Sequence, residues 1–376
     1  MANPVLGILT LYLNEHKQLE EKPIYQNMIT EGKKLGLDVF VFTPMDVNNK
    51  KILAMEYDPK SKKWSRMLRD FPDMIYDRCR IQNGPRFTQL LAFRKNYAHH
   101  LFLNRPLRNK WTIHEVLSKK DNFRPHLPET KLVNSLSDVQ YMLKRKPVIY
   151  LKPINGTGGR GILRIEHLKN STQQYYIQGR NQQRKIITPQ RIHATRLGAM
   201  LTSWNINRYI VQEGIPVRLP NGRVHDYRML VQKNREGHWR LTGIVGRVGA
   251  MRSVTSNLHG GGKAVPMEIL LPQWITNKKI QEQVQKKSEE LGLEIAAYLE
   301  QTYGALCELA LDLAVTKKGE VYLLEVNPKP AREVFARSGQ RDAYRRAIVN
   351  PLEYALWLYR KKVTPPKSEV KEESSS

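Results

Sequence analysis

Acidic residues and cysteines are both scarce in this chain of 376 residues. Only 35 Asp and Glu stand against 62 Lys and Arg, leaving a net charge of +27 and a pI near 10. Two cysteines, Cys79 and Cys307, cannot build a disulfide framework or a cysteine-rich zinc site. No apolar run approaches the ~18 residues needed to span a bilayer, which excludes an integral helical membrane protein. The N-terminal Met-Ala-Asn-Pro-Val-Leu-Gly-Ile-Leu-Thr has no basic n-region. No secretory signal is therefore expected, and the chain reads as soluble and intracellular. Internal repeats are also lacking. At 40% hydrophobic and 26% charged residues, the composition excludes a disordered or fibrous chain. The length predicts two or three domains with ample core.

The positive charge is concentrated. From Lys144 to Arg252 there are 21 Lys and Arg against four acids, so +17 of the +27 lies in that stretch. Such a field attracts anionic partners, whether nucleotide phosphates, acidic peptides, nucleic acid or an anionic membrane. A solvated basic face is the plain alternative.

Residues 4–13 read as a buried strand, Ile24–Leu35 as a helix stopped by Gly36, and Asp38–Thr43 as a second strand. Strand, helix and strand at this spacing form a βαβ unit with parallel pairing. Residues 51–68 suit a polar hairpin, Asp73–Tyr76 a short strand, and Phe87–Leu103 a helix. Further on, Trp111–Ser118 suits a helix, and Val148–Leu151 and Tyr209–Gln212 suit strands. The stretch 168–200 is rich in Gln, Arg and Thr, with weak periodicity and no assigned element. One long helix is expected at about 278–302, followed by strands at 306–315 and 320–326. Thr364–Ser376 reads as a disordered tail.

Two motifs carry chemistry. Val148–Ile162 runs as a strand delivering Lys152 into a loop with glycines at 156, 158, 159 and 161. Closely spaced glycines let backbone N–H groups approach phosphate oxygens, and the lysine adds a point charge. The loop turns back into a strand and no Gly-Lys-Ser/Thr follows, so it is neither a Walker loop nor a Rossmann fingerprint. Taken alone, it could equally be an ordinary hairpin turn. The second motif, Leu309–Pro328, reads as strand, Lys-Lys-Gly turn and strand. Antiparallel pairing would bring Asp312 near Glu325 and Asn327, and those two share a face because they are two residues apart. Two carboxylates and an amide oxygen are hard ligands suited to Mg²⁺ bridging nucleotide phosphates. A solvent face is the alternative, but the apolar flanks point to burial, where carboxylates need partners.

In this order the features resemble the ATP-grasp superfamily over about residues 105–335, most closely its YheC/YheD-type endospore coat-associated branch. The resemblance implies an α/β fold, with an N-terminal pre-ATP-grasp domain (1–108) before a two-lobe ATP-grasp fold (109–212 and 213–360) and a tail (361–376). It identifies Lys110 and Lys152 as ATP-binding lysines, with Gly156, Gly158, Gly159 and Gly161 closing over the phosphates. Gln212, Glu213 and Ile215, in a Tyr-Ile-Val-Gln-Glu-Gly-Ile segment, would form the hinge that holds adenine and ribose. Asp226-Tyr-Arg228 and Arg247 resemble the acid-x-Arg strand and the substrate-side arginine. Asn257-Leu-His-Gly-Gly-Gly-Lys263 is similar to a loop of glutamate-adding ligases, which places Asn257 in catalysis and His259 and Lys263 at the substrate. Asp312, Glu325 and Asn327 carry over as Mg²⁺ ligands. The Gly that usually precedes the metal-ligand segment is replaced by Ala310 and Leu311.

The resemblance implies an ATP-dependent carboxylate–amine ligase that works through an acyl phosphate. Its acceptor would be acidic or polyanionic, with Arg247, His259 and Lys263 near the acceptor's carboxylates. Spore coat proteins are the expected partners, in the cytoplasm or at the forespore surface. Two rivals stand beside this reading: an ATP-grasp fold kept for coat assembly without turnover, and nucleic-acid binding. The second lacks a helix-turn-helix, zinc finger or RNP pattern.

Overall fold

A computed structural model describes residues 3–48, 50–80, 84–156, 158–168, 173–258 and 261–363. The chain builds three sheets, one after another. The first contains β1 (Val5–Leu9), β2 (Asp38–Phe42), β3 (Val47–Asn48), β4 (Lys51–Asp58), β5 (Lys63–Asp70), β6 (Met74–Asp77) and β7 (Leu101–Phe102). Its order is β3-β4-β2-β1-β6-β7, with β5 paired to β4, and β1 runs parallel to both β2 and β6. Between β1 and β2 lies α1 (Lys22–Lys34), started by Pro23 and buried along Ile24, Tyr25, Met28, Ile29 and Gly32. A Cβ on Gly32 would come within 2.5 Å of Val39 Cγ2, so only glycine lets the helix lie this close to β2. Gly36, at φ 73°, ends the helix as expected. The helix expected at Phe87–Leu103 is shorter. It is α2 (Pro85–Asn96), and the remaining apolar residues Leu101 and Phe102 instead join the sheet edge as β7.

The second sheet follows α3 (Lys110–Ser118), which Asn109 caps by accepting the Thr112 N–H at 3.0 Å. It comprises β8 (Thr130–Leu132), β9 (Val148–Pro153), β10 (Ile162–His167), β11 (Gln174–Arg180), β12 (Ile186–His193) and β13 (Tyr209–Glu213), in the order β12-β11-β10-β9-β13-β8. Helices α4 (Leu136–Arg145) and α5 (Ala194–Ser203) cover it. The weakly periodic 168–200 stretch is therefore largely ordered. Its described residues contain the β11–β12 hairpin and the start of α5.

The third sheet holds β14 (His225–Lys233), β15 (Trp239–Val248), β16 (Lys263–Pro266), β17 (Glu308–Val315) and β18 (Val321–Asn327), in the order β16-β15-β14-β17-β18. Helix α6 (Met267–Trp274) and the long α7 (Lys278–Tyr303) pack on it, the latter through Val284, Leu291, Ile295, Ala296 and Leu299. A short α8 (Glu333–Arg337) precedes a second long helix, α9 (Arg341–Val363), which the sequence reading did not assign. Ile348, Leu352, Tyr354 and Ala355 of α9 enter the core beneath α1, so the chain's end returns to its beginning. The expected tail, 364–376, lies outside the described residues.

A buried charge cluster joins the first and third sheets. Glu308, at the start of β17, accepts hydrogen bonds from Tyr76 Oη and Arg78 (both 2.5 Å), Arg332 (2.6 Å) and Gln232 (3.1 Å). Glu308, Arg78 and Arg332 are fully buried, and Arg78 also reaches Glu21 at 2.7 Å. Burial pushes the Glu308 pKa up, but Arg332 and Arg78 outweigh it and hold the carboxyl below its usual range. Replacing Glu308 with alanine strands the Arg332 guanidinium in a dry core and leaves Arg78 with Glu21 alone. The expected cost is about 3–5 kcal/mol, read by urea unfolding; a loss below about 1 kcal/mol contradicts this account.

Candidate functional site

Strand register assembles the site on one face of the third sheet. Asp226 on β14 pairs directly with Arg247 on β15, and Arg228 on β14 pairs with Asp312 on β17. Asp312 in turn faces Glu325 on β18, while Asn327 sits opposite Ala310. Residues 226 and 228, like 325 and 327, are two apart and share a face, so four strands present one row of alternating charge.

The row is internally paired. Arg247 Nε donates to Asp226 Oδ1 at 2.7 Å, and its Nη2 lies 2.9 Å from Asp312 Oδ2. Arg228 forks onto Asp312, with Nε on Oδ1 and Nη2 on Oδ2 at 2.9 Å. Ser256 Oγ donates to Asp226, which ties the 249–258 loop to the row. Burial pushes the Asp312 pKa up, yet Arg228 and Arg247 outweigh it and hold the carboxyl below its usual range. Asp226 and Asp312 in return raise Arg247 above its usual value, against the effect of burial.

The second sheet faces this row. Lys110, the first residue of α3, lies 3.5 Å from Glu325 and donates to the Gly156 carbonyl. Lys152, on β9, donates to Gln212 Oε1 at 2.5 Å, and Gln212 is held by Thr130 at 3.0 Å. Burial, with help from the neighbouring Lys110, lowers the Lys152 pKa to about 8 despite the opposing pull of Glu325 and Asp312. Beyond β13, Gly214 donates to the Val148 carbonyl at 2.9 Å, and Ile215 turns into the cleft. Glu213 also lines the cleft, its carboxylate 3.0 Å from Lys146.

Between the two sheets lies an open cleft. It brings together Lys110, Lys152, Gly156, Gly158 and Gly159 from one side with Arg228, Arg247 and Asn257 from the other. Asp312, Glu325 and Asn327 close one end, and Gln212, Glu213 and Ile215 line its wall. Gly158 and Gly159 take φ values of 67° and 76°, a backbone that suits glycine alone in this loop.

Two expected site residues, Gly161 and Lys263, lie off the cleft. Gly161 does not line the cleft, because its N–H is spent on the Asn181 carbonyl at 3.1 Å in the turn behind the loop. Lys263 stands exposed on the edge strand β16 and faces away from the cleft lining. His259 lies outside the described residues. Arg247, expected near an acceptor carboxylate, is already committed to Asp226 and Asp312. The sequence reading assigned no role to Ser256 or Thr255; neither has a local signature, and only the return of the 249–258 loop brings them to the cleft. Cys79 and Cys307 are both buried free thiols, in keeping with a core role.

A hard cation at the end of the row would have to share Asp312 with Arg228 and Arg247, which already take both its oxygens. Among the described residues no three His, Cys, Asp or Glu side chains cluster, so a metal here would rest on two carboxylates and one amide. The Asn327 Nδ2 is buried without a partner beside Glu325, so this amide is not tied into the surrounding protein. So lean an oxygen set suits Mg²⁺, which keeps waters and takes further oxygens from substrate phosphates.

The chain belongs to the YheC/D-like ATP-grasp family, whose model matches residues 99–358. It is 26% identical over 338 residues to the endospore coat-associated protein YheC of Bacillus subtilis (strain 168), covering 88% of this chain and 91% of that protein. The endospore coat-associated protein YheD of the same organism is 22% identical over 373 residues, covering 97% of this chain and 81% of that one. Among solved structures, D-cycloserine synthetase DcsG superposes with a TM-score of 0.53 at 11% identity, covering 95% of this chain and 99% of that one. The ATP-grasp ligase PsnB, complexed with a phosphomimetic precursor variant, Mg and ADP, gives 0.52 at 12% identity, covering 94% and 100%. These likenesses establish the ATP-grasp fold. Among the described residues no helix is long and apolar enough to cross a membrane.

The lowered Lys152 pKa sets a pH dependence. A phosphate beside the ammonium would raise its pKa again, so binding above about pH 8 must take up a proton. Affinity for ADP is expected to be level from pH 7 to 8, then to fall by up to about tenfold per unit; phosphate monoesters, with a second pKa of about 6, no longer titrate there. Calorimetry across pH 7–9.5 reads this, and Lys152→Arg should flatten the profile. An ADP affinity that does not change with pH in the parent protein contradicts the assignment.

Proposed function

We propose that the protein is an ATP-dependent carboxylate–amine ligase. The observation that carries the reading is the paired row Arg247–Asp226 and Arg228–Asp312–Glu325 lying across one cleft from Lys110 and Lys152, beneath the glycine loop. In this reading residues 1–108 flank the two lobes, 109–212 and 213–360, that close on the nucleotide.

Adenine rests on the wall formed by Gln212, Glu213 and Ile215, with the ribose near Glu213. Lys110 and Lys152 offset phosphate charge, and the N–H groups around Gly156, Gly158 and Gly159 cradle the phosphates. A substrate carboxylate oxygen attacks the γ-phosphorus, the bond to the bridging oxygen breaks, and ADP leaves. The amine nitrogen then attacks the acyl carbon, expelling inorganic phosphate and losing a proton as the amide forms. Arg228 and Arg247 stabilise the charge that develops on the transferring phosphoryl group, and Asn257 orients the acyl phosphate. Their carboxylate partners hold both guanidinium groups in place before substrate arrives, so little reorganisation is needed at the moment of reaction. Mg²⁺ held by Asp312, Glu325 and Asn327 supplies charge neutralisation and a template for the phosphate oxygens. Closure of the glycine loop against the 249–258 loop keeps water from the acyl phosphate.

The second substrate in this reading is acidic or polyanionic. Arg108 and Arg337 add positive charge to the outer cleft, and the stretch from Lys144 to Arg252 carries +17. The names of the relatives support a place at the forming spore coat.

Glu325→Gln and Asn327→Ala are expected to lose Mg²⁺-dependent ADP binding by at least tenfold while their melting curves stay close to the parent protein. Mass spectrometry should detect an ATP-dependent amide product when acidic amino acids and peptides are offered as both acid and amine. Unchanged Mg-ADP affinity in either variant removes the ligand assignment. Nucleotide binding with neither ADP release from ATP nor any joined product would favour an ATP-grasp fold kept for coat assembly without turnover.

A further inference from the structure

The hairpin formed by β11 and β12 reaches the cleft mouth through its turn. Asn181 shapes that turn, its side-chain oxygen accepting from the N–H groups of Gln183 (3.0 Å) and Lys185 (2.9 Å). Arg184 adopts φ 66° there, and its guanidinium lies against Gly158 so closely that a Cβ on that glycine would sit 2.7 Å from it. Arg180, only 6% exposed, donates to the Arg184 carbonyl at 3.1 Å and to Thr255 Oγ1 at 3.4 Å. Arg160 joins them from the glycine loop.

Among the described residues, none of these three arginines has a carboxylate within salt-bridge distance. That distinguishes them from Arg228 and Arg247, each fully paired a short way inside. The Arg184 Nε is buried and has no hydrogen-bond partner. Burial and the neighbouring Arg160 and Arg180 lower the Arg184 pKa, the mark of like charges gathered without a counter-ion. Arg184 is only partly buried, but its Nε is shut from water with no acceptor, and an oxyanion reaching it would supply one. Arg184 lines the outer cleft, with Arg160, Asn257 and Leu258, and is absent from the lining of the inner nucleotide pocket.

We infer that Arg160 and Arg184, with Arg180 supporting the turn behind them, form an anion subsite at the cleft mouth, which holds an acidic group of the second substrate. The inference rests on the ligase reading above and deepens it: the acceptor carries an oxyanion, carboxylate or phosphate, beyond the group that reacts. Guanidinium groups match either oxyanion through paired N–H donors, which a lysine cluster would not do. The glycine loop carries Arg160 and contacts Arg184, so an anion seated here would hold the loop down on the nucleotide.

The test uses the full chain loaded with Mg-ADP and two probes by calorimetry, hexa-L-glutamate and inorganic phosphate. At least one probe should bind, weaken as salt rises, and lose tenfold or more in Arg184→Gln and in Arg160→Gln. In Arg184→Gln, which lies outside the nucleotide pocket, ADP affinity should change less than twofold, and Arg184→Lys should recover only part of the loss. Arg160 is exposed, so its variant remains informative if the hairpin variant melts early. Binding of hexaglutamate alone assigns an acidic peptide, and binding of phosphate alone assigns a phosphorylated acceptor. If neither probe binds, or binding ignores both substitutions, the subsite is wrong even though ADP still binds. If the substitutions weaken a non-hydrolysable ATP analogue but not ADP, the arginines serve the γ-phosphate and the inference is overturned. Failure of the parent protein to bind ADP overturns the ligase reading and this subsite with it.

Discussion

One strand carries both the carboxylate that holds the molecule together and the one that faces the cleft. Glu308 opens β17 and Asp312 follows four residues later, on the same face by the two-residue period of a strand. Glu308 binds Tyr76 and Arg78 from the first sheet and Arg332 from the segment that follows β18. That segment begins at Asn327, so fixing Arg332 also fixes the end of the strand that carries Glu325 and Asn327. Lys329 adds a second tie, 3.0 Å from Asp77, which is also held by Arg94. Such ion pairs tolerate little displacement in a dry interior, because a stranded charge has no water to turn to. The cleft therefore inherits its geometry from a core contact between distant parts of the chain.

Within the cleft, charges are balanced row by row. Asp312 lies between two guanidinium groups, Arg247 between two carboxylates, and Lys110 beside Glu325. Lys152 donates to an amide and has no carboxylate within salt-bridge distance among the described residues, and its burial lowers its pKa. The inner site is thus nearly neutral without ligand, while the arginines at its mouth are not. In the proposed reading a nucleotide with its cation would enter a prepared, balanced surface, and an anionic second substrate would meet the uncompensated charge outside it. This division gives the excess positive charge of the chain a location.

Much of this organisation was legible in the sequence. The βαβ start, the strand–glycine loop–strand around Lys152 and the paired strands bearing Asp312 and Glu325 are all present, because each rests on local periodicity and turn residues. Helix α9 escaped notice because Pro351 interrupts its pattern and its two faces bury against different cores. The β11–β12 hairpin escaped notice because its outer strand is largely exposed and so lacks apolar alternation; the Asn181 turn was the one available signal. Lys263 was misplaced because motif likeness cannot tell which way an edge strand presents its residues. Gly161, expected to close over the phosphates, has its N–H bound to the Asn181 carbonyl, a partner that only the folded turn supplies.

By itself, then, the sequence determined the element types, the parallel start, the glycine loop and the acids and lysines able to meet around phosphate. Those properties depend on spacing of a few residues, which local chemistry enforces. Only the tertiary structure decided which arginines are paired with carboxylates and which are not. Arg228 and Arg247 look like Arg180 and Arg184 in the sequence, yet strand register sets the first two against carboxylates. The second two lie on a hairpin with no acid opposite them. Whether a charge is compensated depends on what lies across from it, and that neighbour is brought near only when the chain folds.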